Sequence, residues 1–368
     1  MFNYGKVLIG GNKPVVIAEA GVNHLKDLDL AKKHIQAAKR AGASVIKFQT
    51  YSAEKLTTAS APRFWSWSGE HDNKGGQRDS YSILETPERE FTKKLFGYCN
   101  EIGIEFMSTP FDLDAADMLN DLGSNGFKLA SGDLLNVPLL RKLGSFGKPV
   151  FISTGAANLE EIKFGVDTLE MAGASDICIM HCTLCYPTRL GDANLSALNE
   201  IAAKFPGYVL GLSDHTIGNL VPALSTMLGC RVVEKHFTVD KSLPDSADHW
   251  LSVDEDELQS LVRNIEKAML AYGNGHKAML DCEIPTRLNA RRSLVVNGFI
   301  QAGEMFNEKN LTCKRPGTGI SSKYFDNLIG LTATKNLHDD HMITFDDILE
   351  DASFKPITES LLKVNYNV

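Results

Sequence analysis

The chain has no long hydrophobic run. Across its 368 residues no stretch approaches the roughly 20 consecutive apolar residues that span a bilayer, so a membrane-embedded protein is not expected. Positive charge does not dominate either. The 38 Lys and Arg are outnumbered by 46 Asp and Glu, for a formal net charge of −8, which argues against a nucleic-acid binder with a basic face. Cysteine is sparse: the count is seven, odd and scattered. That excludes a disulfide framework and points to a reducing cytoplasm. The N-terminal segment has a short apolar run but no small-residue cleavage site behind it. Low-complexity tracts are lacking as well. With 43% hydrophobic and 23% charged residues the chain easily supplies a packed core.

What is present is a rhythm. Eight short apolar runs recur through the first ~270 residues: VVIAEAG (15–21), SVIKFQT (44–50), IEFMSTP (104–110), GFKLAS (126–131), PVFIST (149–154), DICIMHC (176–182), YVLGLSDH (208–215) and RVVEKHF (231–237). Each is followed by apolar residues at helical spacing, as in Leu30, Ala31, His34, Ile35 and Ala38. Strands alternating with helices make parallel βα units, and eight of them fit a (β/α)8 TIM barrel over 1–272. The competing arrangement is an open doubly wound sheet, but no G-x-G-x-x-G follows the first run. A long insertion at 51–86 breaks the rhythm and carries Trp65 and Trp67, read as anchors on the barrel rim. Residues 273–292 are polar without alternation and read as a linker. Short strands with Gly and Asn turns over 293–353 form a compact β-rich module, and 354–368 a tail.

Active sites of such barrels lie at the C-terminal strand ends, so the last residues of each run matter most. Lys47 and Lys128, with the hydroxyls of Thr109, Ser131, Ser153 and Ser213, suit a phosphate. His215 and His236 close the seventh and eighth runs and suit Mn, Fe, Co or Zn, leaving positions for water and a substrate oxygen. Glu234, two residues before His236, faces the same side, either to hold a metal-bound water or to pair with a lysine. Lys235 points the other way and reads as structural. Cys182-x-x-Cys185 stands alone, without the second pair that a zinc ribbon needs.

These residues carry a family resemblance. IAEAGVNH (17–24), VIKFQT (45–50), MSTPFD (107–112), KLASGDL (128–134), ISTG (152–155), HCTLCYPT (181–188), GLSDHT (211–216), EKHFT (234–238) and the pair Asp248-His249 resemble, in order, the motifs of the sialic acid synthases. KRPGTGI (314–320) resembles the signature of their C-terminal antifreeze-like (SAF, β-clip) domain. The resemblance implies a transferase that condenses phosphoenolpyruvate with N-acetylmannosamine or a related N-acylated amino sugar, giving N-acetylneuraminate or a related nonulosonic acid and phosphate. A 2,4-diacetamido-2,4,6-trideoxy hexose, the substrate of legionaminic or pseudaminic acid synthesis, is the alternative. A metal-dependent aldolase and a sugar-binding module with an inactive barrel are more distant ones. It further implies Glu19 as catalytic acid/base, a phosphoenolpyruvate site at Lys47, Thr109, Lys128, Ser131, Ser153 and Ser213, and a divalent metal, Mn2+ before Mg2+ or Co2+, on His215 and His236. Gln49, Asp133, Tyr186 and Asp248 match sugar-site positions. Arg315 matches an arginine that reaches the partner subunit's active site in a domain-swapped homodimer. The sequence departs from the family at Leu184, where Asn is common and whose donor falls to Thr183 or water. It departs again at Ser246-Ala247, where Gly-Pro often precedes the Asp-His pair, and in the aromatic insertion at 64–67.

Overall fold

A computed structural model describes residues 1–65, 75–85, 89–244 and 248–349. Trp67, the pair Ser246-Ala247 and the tail 354–368 lie outside the described residues. The chain divides into two compact units, Met1–Asn274 and Gly275–Val368.

The first unit opens on a hairpin of strands β1 (Phe2–Tyr4) and β2 (Val7–Ile9) turning at Gly5, whose φ is +56°. Eight parallel strands follow: β3 (Val15–Gly21), β4 (Val45–Thr50), β5 (Glu105–Pro110), β6 (Phe127–Leu129), β7 (Val150–Ser153), β8 (Ile177–Cys182), β9 (Val209–Asp214) and β10 (Val232–His236). Their order is β5-β4-β3-β10-β9-β8-β7-β6, and β5 lies beside β6, which closes the (β/α)8 barrel. Each lies inside one of the eight apolar runs. These strands are buried on both faces, and that is why they read as near-continuous apolar runs instead of alternating ones.

The helices start and stop on local signals. Asp27 caps Leu28–Ala41 by accepting from the amides of Asp29 and Leu30, and Gly42 ends it in the left-handed region. Asp254 and Glu257 form a capping box on Glu255–Tyr272. The hairpin plugs the N-terminal end of the barrel. Tyr4 is fully buried, its ring meets Phe151 edge-on at 5.5 Å, and its hydroxyl donates to the Phe106 carbonyl at 2.6 Å. One end of the barrel is thus filled with side chains, leaving chemistry to the other. In the insertion, Trp65 packs on Tyr81 at 5.6 Å and Tyr81 on Tyr51 at 5.7 Å, the geometry of an anchor.

The second unit begins with the 3-10 turn Asp281–Glu283 and the helix Ile284–Ala290, within the polar stretch that shows no periodicity. Strands β11 (Ser293–Val296) and β12 (Leu311–Lys314) then pair antiparallel, and single bridges such as Val295 to Met342 and Ile300 to Leu337 extend the β character. Leu294, Val296, Ile300, Phe306, Leu328 and Ile343 form its own core.

Candidate active site

Register brings the polar strand ends together. Glu19 on β3 lies opposite His236 on β10 and Lys47 on β4, and Glu234 lies opposite Ser213 on β9. Lys47 Nζ sits 2.7 Å from Glu19 Oε2, donates to Thr109 Oγ1 at 3.1 Å and lies 3.7 Å from Glu234 Oε1. Lys128 Nζ is also 3.7 Å from Glu234 Oε1, which accepts from Ser213 Oγ at 3.1 Å. Gln49 Nε2 donates to the other oxygen of Glu19 at 3.0 Å. Two ammoniums and two carboxylates thus form a buried quartet, each side chain 5% exposed or less. Ser153 Oγ and Glu234 Oε2 are buried without a hydrogen-bond partner among the described residues, which leaves donor and acceptor capacity for a ligand.

The environment drives the two carboxylates apart. Burial raises Glu19 above the usual carboxylate range, and Lys47 only partly offsets it. Burial also opposes ionisation of Glu234, but Lys128 and then Lys47 overcome it and hold that carboxylate low. Lys128 is lowered, chiefly by burial. For Lys47, burial is outweighed by Glu19 and Glu234, and its ammonium is held above the ordinary value. A carboxyl held above its usual range beside a firm anion is the pattern of an acid/base site.

His215 and His236 lie next to this quartet with ring centroids 5.3 Å apart. Tyr186 stacks on His215 at 4.0 Å and meets His236 edge-on at 5.6 Å. His215 Nδ1 faces the Thr183 carbonyl at 2.9 Å and His236 Nδ1 faces Asp248 Oδ2 at 3.3 Å. Both partners are acceptors, so in the neutral rings a proton on each Nδ1 would leave each Nε2 with its lone pair for a metal ion. Burial, with His236 beside it, lowers His215 to about 3, so it stands neutral. Burial pulls His236 down as well, but Asp248 and Glu19 raise it above the ordinary value. Among the described residues no group of three or more His, Cys, Asp and Glu is arranged to hold a metal ion. A metal here rests on two histidines and the open positions around them.

Not every anticipated residue joins the cluster directly. Ser131 Oγ accepts from the Gly155 amide at 3.0 Å and lies 3.6 Å from Cys182 Sγ. Asp133 accepts from Asn136 Nδ2 at 3.0 Å, and burial raises it. Arg315 belongs to the second unit. Thr183 does not replace the donor missing at Leu184, because its hydroxyl donates to the Asp192 carbonyl at 2.9 Å. Glu234 pairs with both lysines, joining what the sequence divides into two sub-sites; period-two alternation from His236 is the signal that places it inward. Cys182, 3.9 Å from His215 Nδ1, closes its run, and that strand-end position is the signal that places it beside the histidines.

A closed (β/α)8 barrel with this polar centre at its C-terminal strand ends, followed by a small β-rich unit, is the architecture of a barrel enzyme with an appended module. The chain belongs to the NeuB family, which it matches over residues 34–277, and it carries a SAF domain over 291–349. It is 38% identical to the N,N'-diacetyllegionaminic acid synthase of Legionella pneumophila, over 88% of this chain and 91% of that protein. It is also 38% identical to the enzyme of the same name from Campylobacter jejuni, over 90% and 99%. Among solved structures it resembles an N-acetylneuraminic acid (sialic acid) synthetase from Leptospira borgpetersenii in complex with citrate, with TM-score 0.68 and 32% identity over 77% of this chain and 94% of that one. The protein is an enzyme of the nonulosonic acid synthase type.

Proposed function

We propose that the enzyme condenses phosphoenolpyruvate with the open-chain aldehyde of a 2-acetamido sugar. Carbon 3 of the enol phosphate bonds to the aldehyde carbon, whose oxygen gains a proton and becomes a hydroxyl. Water adds at carbon 2 and loses a proton. The carbon 2–oxygen bond to phosphate then breaks, releasing phosphate and a 2-keto acid. The observation that carries this reading is the quartet: Glu19 lies 2.7 Å from Lys47 and the second carboxylate is shared between two lysines.

In this reading Lys47 and Lys128 bind the phosphate, with Ser153, Ser213, Thr109 and Ser131 as hydroxyl partners. Glu19 keeps a proton within the site and exchanges it at the reacting oxygen, oriented by Gln49. His215 and His236 hold a divalent cation, Mn2+ first, which supplies Lewis acidity toward the sugar's carbonyl oxygen. Tyr186, Asp248, Asp133 and Gln49 face the sugar, and Arg315 reaches the site from a partner subunit in a swapped homodimer. The seven cysteines are all free thiols, which suits a cytoplasmic enzyme. Of the sugars considered, the 2,4-diacetamido-2,4,6-trideoxy hexose comes first, because two relatives at 38% identity are named for the corresponding product. N-acetylmannosamine comes second.

The test is phosphate release from phosphoenolpyruvate mixed with each sugar in turn, with Mn2+. Phosphate is expected only when both substrates are present. Consumption of the sugar with pyruvate in place of phosphoenolpyruvate, without phosphate release, would mean an aldolase, and no turnover with any 2-acetamido sugar would leave a binding module; either outcome overturns the proposal.

A further inference from the structure

One buried ion pair lies outside the quartet. Lys235 alternates with Glu234 and His236 along β10, so its side chain leaves the barrel on the opposite face. It sits across the ladder from Asp214 on β9, and its Nζ lies 2.7 Å from Asp214 Oδ2. Both side chains are 2% exposed or less. Such a pair is a poor source of net stability, since taking two charges out of water offsets most of their attraction, and a well-packed apolar pair does as well. Its contacts define what it does instead. Asp214 Oδ1 accepts from the Thr216 amide at 3.1 Å and Oδ2 from the Thr216 hydroxyl at 3.0 Å. Lys235 Nζ also donates to the Thr216 carbonyl. All three polar groups of Thr216 are therefore tied to the pair, and His215 stands between Asp214 and Thr216. On its far side the His215 carbonyl accepts from the Thr188 amide at 3.0 Å, and its Nδ1 is fixed on the Thr183 carbonyl at 2.9 Å.

We infer that Lys235, Asp214 and Thr216 are positioning residues that lock the turn carrying His215, and so set the affinity of the two-histidine site for a divalent cation. The inference rests on the reading of His215 and His236 as ligands. Lys235 is suited to this because it lies one residue from His236. A single ammonium thereby fixes the strand bearing one histidine to the turn bearing the other.

The measurement is titration calorimetry of Mn2+ alone into metal-stripped full-length protein. Thr216→Val keeps the ion pair but removes the hydroxyl tie to Asp214, and is expected to weaken Mn2+ binding roughly tenfold, the low end of what losing support around a ligating histidine costs. Thr216→Ser restores the hydroxyl and is expected to restore the affinity. Lys235→Met should weaken binding further where it folds, and Thr216→Val keeps the test available where it does not. Ile265→Ala, a core truncation on the last barrel helix, is the control and should lower the melting temperature without changing the Mn2+ affinity. If folded Thr216→Val binds Mn2+ as tightly as the unaltered protein, the positioning role is wrong. If the unaltered protein binds no Mn2+ and His215→Ala changes nothing, the two-histidine reading itself has failed.

Discussion

Glu19 and Glu234 differ only in their neighbours, and that difference assigns their work. Glu19 has one lysine and an amide, so burial prevails and its proton is held to higher pH than usual. Glu234 has two lysines and stays ionised. Glu19→Gln is therefore expected to lower kcat by about two orders of magnitude or more while leaving the KM for phosphoenolpyruvate nearly unchanged. The sign of the pH effect follows from the raised value. The protonated form persists at low pH and is lost as pH rises through the elevated pKa, so kcat should fall along that limb, and the limb should be absent from the residual activity of the Gln variant. Lys128→Ala acts differently. It removes a charge-assisted contact of ~1.5–3 kcal/mol, so the KM for phosphoenolpyruvate should rise about ten- to a hundredfold in steady-state kinetics. Most of this site is legible in the sequence because ends of parallel strands are compact polar markers. Glu19, Lys47, Lys128, His215 and His236 all stand at or near a run's last residues. That Lys47 and Lys128 share Glu234 is not legible, because it depends on which strands are neighbours across the closed barrel.

At the scale of elements, strands buried on both faces announce themselves, even three-residue β6, and half-exposed ones do not. The apolar runs enclose all eight barrel strands, whereas the hairpin of two three-residue strands lies below any period and is visible only through its packing on Phe151. The helix Ile284–Ala290 has no buried residue and hence no apolar stripe to betray it. Strand β3 shows how an element aims a side chain. The register pairs Glu19 with Lys47 and Gly21 with Phe48, so Ala20 is the extra residue of a bulge that turns the strand end. Gly21 has φ +51°, and a Cβ there would meet Glu19 Oε1 at 3.4 Å and Gln49 Nε2 at 3.5 Å. Space is sufficient, and the penalty is conformational. Gly21→Ala should lose about 1–2 kcal/mol, seen as a lower melting temperature in calorimetry. It should also reduce kcat more than it raises the KM for phosphoenolpyruvate, because the strained turn lies beside Glu19 and Gln49 rather than beside the lysines.

The molecule as a whole carries two separate cores, and they should respond differently to acid. In the barrel unit, His24 and His34 are buried and their pKa values are lowered by that burial to about 3 and about 4. A histidine held neutral in the fold contributes its full stability above the unfolded value near 6.5, and loses it as pH falls from there toward the folded value. The barrel transition in calorimetry should weaken steadily below pH 6.5. The second unit is tied by buried Asp347, which bonds Lys335 and His341 at 2.8 Å each and is lowered to about 2 against its burial. Its contribution is present above the ordinary carboxylate value and is lost only as pH falls toward 2. The barrel should therefore unfold first on acidification, and a single transition moving uniformly with pH would contradict this. The two units also frame the last expectation. Arg315 lies in the second unit, in the sequence RPGTG, and a guanidinium held by such a loop suits the acyl oxygen or hydroxyls of a sugar. On the swapped reading, the Arg315→Ala chain should bind sugar weakly while its KM for phosphoenolpyruvate stays the same. Mixed under exchange conditions with the inactive Glu19→Ala chain, it should regain activity. In a heterodimer, the barrel bearing Glu19 receives Arg315 from the other chain, which completes one site per dimer. A mixture in which heterodimers form but activity stays at the sum of the two components would return Arg315 to its own barrel.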